Sequence, residues 1–206
     1  MASNTPATEL PLFPLKAVLF PGGLLSLKVF EARYVDLVTA SLREQRPFGV
    51  VALRARREGQ RAEDGQHHET TGTVAELIDV DSERSGILQV RCRGTHRFVI
   101  EKTRQQADGL WLAETRAVPN DEPVAPTPAL VEAVRGLASA IASLKGRGSE
   151  PFFTPHRFDD AGWVANRWCE ILPISAVAKQ KLMELPDPIA RLQLVDDFLR
   201  SRGVVK

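Results

Sequence analysis

The sequence predicts an α+β chain: a twisted barrel or sheet of short strands carrying one helix, followed by a run of helices. Three observations predict it. Apolar residues alternate with period two from Leu10 to about Val118, a proline-rich stretch follows, and beyond it the apolar period changes to about that of a helix. The boundaries read from this change are strands over 1–118, a linker over 119–127 and helices over 128–206.

Within the first region, Leu25, Leu27 and Val29 share one strand face, and Leu88, Val90 and Cys92 share another. Further short strands are expected at Phe48–Leu53, Thr73–Val80, Phe98–Ile100 and Trp111–Val118, enough for a closed or sandwiched sheet. Between Glu31 and Glu44, Tyr34, Val35, Val38 and Leu42 recur at near-helical spacing, and Pro47 ends the helix. Pro21-Gly22 supplies the fixed φ and the positive φ of a tight turn.

The linker is Pro119-Asn-Asp-Glu-Pro-Val-Ala-Pro126 and its next residue. Thr127-Pro128 then reads as an N-cap and an N1 proline, opening a helix with the stripe Leu130, Val134, Leu137, Ile141, Leu144. Helices are expected at Trp163–Leu172 and Ser175–Leu185, with Ser175 as a cap. Asp187-Pro188 opens a last one, burying Leu192, Val195 and Leu199.

With 206 residues the chain can bury a sizeable core. Hydrophobic residues at 43% and charged residues at 26% exclude a disordered chain and a membrane bundle. Lys and Arg number 27 against 26 Asp and Glu, so no global field gathers a polyanion. Cys92 and Cys169 are too few for a disulfide framework and read as buried core thiols in a reducing cytoplasm. The first nine residues show no cationic and apolar leader pattern, and Ala17–Leu27 is too short and too broken to span a bilayer.

The motifs Leu10-Pro-Leu-Phe-Pro-Leu15, Leu19-Phe-Pro-Gly22 and Phe30-Glu-Ala-Arg-Tyr34 follow one another at the spacing of Lon N-terminal domains. The likeness continues through Phe48-Gly-Val-Val51, Gly72-Thr-Val-Ala75, Gly94-Thr-His-Arg-Phe-Val-Ile100, Lys179-Gln-Lys-Leu182 and Arg191-Leu192. The chain thus resembles the substrate-binding domain family of Lon proteases in its stand-alone form, a domain also found in cereblon. That resemblance implies a PUA-like strand lobe, a helical lobe, and recruitment of polypeptide. Ala32 departs from it, because the family commonly has proline there, which implies a looser helix start.

Chemistry is sparse. No G-x-x-x-x-G-K-[S/T] is present to cradle phosphates, and Gly146-Arg-Gly-Ser149 lacks the lysine and the preceding strand. The residues that surround the Lon protease serine are missing too, leaving Ser175 and Lys179 as a chance pair; no enzyme activity and no cofactor are expected. His67, His68 and Glu69 near Glu63 and Asp64 offer metal-type ligands, but adjacent histidines share no face, so a solvated loop and no metal are expected. Arg91, Arg93, His96, Arg97, Lys102 and Arg104 make the strongest nucleic-acid hint; with Phe98 the only aromatic among them, they read as a solvated face, Phe98 inward and Arg97 outward.

Glu31, Arg33 and Tyr34 read first as structure: Glu31 at a helix start, Arg33 held by a nearby carboxylate or carbonyl. Phe152, Phe153 and Phe158 sit in a loop where helical period is lost, and such apolar area needs cover. They plug a seam between lobes, or Phe152 and Phe153 with Tyr34 line a groove for a client peptide or a second subunit. The expected function is non-enzymatic capture of unfolded or exposed polypeptide, with self-association left open and neither nucleic acid nor membrane expected; the alternative is an RNA-binding PUA-like module.

Overall fold

The computed structural model describes residues 8–54, 68–84 and 86–205. Six strands run β1 (Thr8–Leu15), β2 (Leu24–Val29), β3 (Phe48–Leu53), β4 (His68–Arg84), β5 (Ile87–Gln105) and β6 (Trp111–Val118). Helices are α1 (Ala32–Glu44), α2 (Val131–Gly146), α3 (Ala161–Ile171), α4 (Ala176–Glu184) and α5 (Pro188–Ser201). Contacts divide the chain into two compact units, one of residues up to Pro21 with Leu25–Pro119, the other of Gly22–Leu24 with the chain from Asn120 onward.

In the first unit the strand pairings close on themselves. β1 runs parallel to β3, and β3–β4, β4–β5, β5–β6 and β6–β1 are antiparallel, with β2 added as a sixth strand on β5. Pro11 and Pro14 are tolerated inside β1 because its pairing with β6 runs from Thr8 to Leu12 and that with β3 from Leu12 to Leu15. Each proline therefore has one flank without a ladder bond to lose.

The alternation of β1 and β3 feeds two cores. Leu10, Leu12, Val51, Val74 and Phe98 form one; Phe13, Val50, Phe48, Val29 and the α1 residues Tyr34, Leu37 and Val38 form the other. Both faces of β3 are buried, which explains its unbroken apolar run. The Phe98 ring also explains two motif glycines, since a Cβ at Gly49 or Gly72 would lie 2.7 or 2.6 Å from its Cζ.

Several expectations are corrected here. The segments Leu88–Cys92 and Phe98–Ile100 belong to one 19-residue strand. Gly94 does not interrupt it; a Cβ there would stand 2.4 Å from the Phe20 carbonyl oxygen, so close backbone approach selects the glycine. Arg97 is only 4% exposed and donates through Nη2 to the Pro119 carbonyl at 3.3 Å, rather than pointing to solvent. Alternation assigns it to the face opposite Phe98 correctly, but cannot say whether that face is covered.

In the second unit the cap residues Ser175 and Asp187 act as expected, accepting from Ala178 N and from Ile189 N and Ala190 N. Thr127 does not cap through its side chain: Pro128–Leu130 form a 3-10 turn before α2 begins at Val131. Asp160 caps α3 instead, accepting from Gly162 N at 3.0 Å. A buried arginine and a tryptophan tie the helices of the unit together. Arg191 of α5 donates to the Asp121 carboxylate at 2.6 Å, to Asn166 of α3 at 3.1 Å, to the Leu182 carbonyl at 2.8 Å and to that of Leu185. Trp168 Nε1 donates to Ala133 of α2 at 2.9 Å. No strand follows Val118 among the described residues.

Candidate functional site

The turn predicted at Pro21-Gly22 is present, with Gly22 at φ +73°. After it β2 carries Leu25, Leu27 and Val29 against the core, so Ser26, Lys28 and Phe30 follow the other parity. At the end of β2 the chain turns into α1, whose first bonds run from the Tyr34 and Val35 amides to the Glu31 carbonyl at 2.9 Å. Ala32 opens that helix without the proline of the family pattern.

Around this corner lies an open groove of about 410 Å³ within the first unit. Phe13, Phe30, Tyr34, Leu53, His68 and Trp111 supply its apolar wall, drawn from the ends of β1, β2, β3, β4 and β6 and the start of α1. Phe13 and Tyr34 stack with centroids 4.3 Å apart and planes 15° from parallel. His68 meets Trp111 edge-on at 6.1 Å. Phe30 is 69% exposed and Leu53 38%, so apolar surface is left open to solvent.

On the polar rim, which also carries Lys28, Arg33 is paired locally. Arg33 donates to the Glu31 carboxylate at 2.8 Å and to the Gly109 carbonyl at 3.1 Å, while its guanidinium lies 4.8 Å from the Tyr34 ring centre. Carboxylate and carbonyl both hold Arg33, as its place in the sequence suggested. Burial pushes the Tyr34 hydroxyl above its ordinary value, against the pull of Arg33.

The remaining predicted residues fall elsewhere. Phe152 and Phe153 belong to the second unit and Tyr34 to the first. Phe152 is buried, edge-on to Trp163 at 6.4 Å, with the Arg167 guanidinium 5.7 Å from its ring; Phe153 is half-buried. Phe158 and His156 crowd the same tryptophan at 5.5 and 5.7 Å. Of the metal-type set, Glu63, Asp64 and His67 lie outside the described residues. His68 is a correction: it is buried at the start of β4, not in a solvated loop, with Nδ1 2.9 Å from the Glu69 carbonyl. Among the described residues no cluster of three or more metal-type side chains forms.

On the basic strand, Arg91 and Arg93 stand opposite Asp79 and Glu76 in register, Lys102 lies 3.4 Å from Glu114, and Arg104 makes two bonds to Glu9 at 2.6 and 2.8 Å. Two members of the run, Lys102 and Arg104, are thus held by cross-strand ion pairs. Both cysteine thiols are buried, which pushes each up to about 12 and leaves neither a ready nucleophile.

Residues 9–201 match the family described as the ATP-dependent protease La (LON) substrate-binding domain. The chain belongs to that family. Lon protease of Paraburkholderia phytofirmans is 29% identical over 97% of this chain and 25% of its own length. Cereblon of Xenopus tropicalis is 31% identical over 58% of the chain and 26% of its own length. The chain therefore spans about a quarter of the curated relatives it matches. Among solved structures, a Lon N-terminal domain protein from Xanthomonas campestris superposes with a TM-score of 0.71 at 30% identity, covering 91% of this chain and 96% of its own. The N-terminal domain of Mycobacterium avium complex Lon protease shares the fold at 18% identity and a TM-score of 0.63.

Phe30 was missed as a groove residue, although an aromatic directly after β2 that continues its outward parity was a usable signal. Arg167 was missed too. It stands three residues after Val164 and one before Trp168, on the stripe α3 buries.

Proposed function

We propose that this Lon substrate-binding domain captures unfolded or exposed polypeptide in the groove at the start of α1, without catalysing a reaction on it. The observation that carries this reading is Phe30, a large aromatic left 69% exposed beside stacked Phe13 and Tyr34 in an open, mostly apolar groove. Its volume suits one or two large side chains rather than a whole metabolite with many polar groups. The pairing of Arg33 with Glu31 reduces the rim's pull on charged clients. Phe153, half-buried in the second unit, is the more accessible of the two loop phenylalanines and a separate candidate contact for polypeptide there; Phe152 is buried.

Family membership supports recruitment of polypeptide. No described helix is long and apolar enough to cross a membrane. The test is binding of a reduced, alkylated, fluorescently labelled polypeptide to the wild-type chain and to Phe30→Ala. Affinity should fall roughly tenfold in the variant with its melting temperature unchanged. Equal affinity would remove the groove from the reading, whereas salt-steep binding of single-stranded RNA, lost in Arg93→Glu, would favour nucleic acid instead.

A further inference from the structure

The aromatic stack at the start of α1 carries a polar group that the fold itself does not use. Tyr34 lines the groove and is only 9% exposed, so nine-tenths of the residue is enclosed. Phe13 stacks on its ring at 4.3 Å and the Arg33 guanidinium lies 4.8 Å from the ring centre, so neighbours within the first unit already occupy the ring. The hydroxyl is different: among the described residues no group donates to it or accepts from it. A phenylalanine would keep both ring contacts without the cost of an enclosed, unpaired hydroxyl, so packing alone does not account for the oxygen.

The other polar groups around the groove stand differently. Arg33 donates to Glu31 and to the Gly109 carbonyl, His68 turns Nδ1 to the Glu69 carbonyl, Lys28 is exposed at the rim, and Pro14 has no N–H to offer. Tyr34 is thus an enclosed donor in a mostly apolar wall. Burial holds its hydroxyl above the ordinary value, so it remains protonated and able to donate at neutral pH.

We propose that the Tyr34 hydroxyl is the polar anchor of the groove, donating to a main-chain carbonyl of the captured polypeptide while a large apolar side chain beside that carbonyl packs against Phe30. This rests on the reading of the groove as the polypeptide site and adds what the groove selects. A segment that covers the hydroxyl with hydrocarbon alone strips it of water and leaves it unpaired, which is penalised, whereas every peptide unit offers an acceptor. Because that acceptor belongs to the main chain, the bond tolerates many side-chain sequences, and proline, which keeps its carbonyl, is not excluded.

The experiment compares Tyr34→Phe with Phe30→Ala in the whole chain, with the same reduced, alkylated, fluorescently labelled polypeptide as probe. It adds carbon-13 NMR of the wild-type chain labelled at tyrosine Cζ; Tyr34 is the one tyrosine in the sequence, so a single resonance reports it. Expected is an affinity about fivefold weaker in Tyr34→Phe, the worth of one net hydrogen bond, with the melting temperature unchanged or slightly raised. The Cζ resonance should move as the unlabelled form of the polypeptide saturates the wild-type chain. Binding that Phe30→Ala weakens and Tyr34→Phe leaves unchanged overturns the anchor and keeps the groove. Binding that neither variant weakens removes groove and anchor together. A lowered melting temperature in Tyr34→Phe also overturns the anchor, because the hydroxyl would then be serving the fold.

Discussion

Two aromatic clusters, one in each unit, treat an arginine and a set of rings in opposite ways. At the start of α1, Arg33 lies on the Tyr34 ring at the rim of a groove, with its side chain 32% exposed and Phe30 open to solvent. At α3, Arg167 lies against Phe152 and Trp163 with its side chain 1% exposed, and its cation is spent on Gly22 and Glu170. The composition of the two clusters is similar. Exposure separates them: the first leaves apolar area open to solvent, and the second uses its rings to enclose a charge that organises the unit.

The sharpest way to break this contrast is Arg167→Met. Removing an enclosed cation leaves the Gly22 carbonyl and Glu170 without their donor, and the loss of stability should be about 4 kcal/mol by denaturant unfolding. A change below about 1 kcal/mol would place Arg167 with Arg33 instead. Phe152→Ala should follow at about 3 kcal/mol, since it opens a cavity beside Trp163. In the groove the order reverses. Phe30→Ala should leave stability within about 0.5 kcal/mol and weaken polypeptide binding, read side by side by thermal melts and fluorescence anisotropy. The smallest effect belongs to Glu9, whose carboxyl the Arg104 hydrogen bond holds below its ordinary value. That contribution is present at neutral pH and is lost as pH falls through the lowered value, so Glu9→Gln should change the melting temperature slightly at neutral pH and not at all in strong acid. Added salt should shrink even that difference.

Most of the strands and helices were legible because each has a period that survives in isolation. Leu25, Leu27 and Val29 alternate, Leu192, Val195 and Leu199 recur at helical spacing, and Ser175 and Asp187 mark helix starts by side-chain chemistry that acts within three residues. The candidate site was only half legible. Tyr34 was picked out, but for a groove shared with Phe152 and Phe153 of the second unit rather than the one it lines with Phe13, and Phe30 was read merely as part of a motif, since outward parity says nothing about what stands beside it.

The sequence by itself determined the α+β order of elements, the Lon-domain motifs and the Gly22 turn, because composition, periodicity and capping act over a few neighbouring residues. Only the tertiary structure decided that Arg97, His68, Arg167 and Arg191 are buried while Phe30 is open. Burial depends on which distant segments come to cover a face: Glu9 meets Arg104 across 95 residues and Gly22 meets Arg167 across 145, separations over which no local pattern carries information.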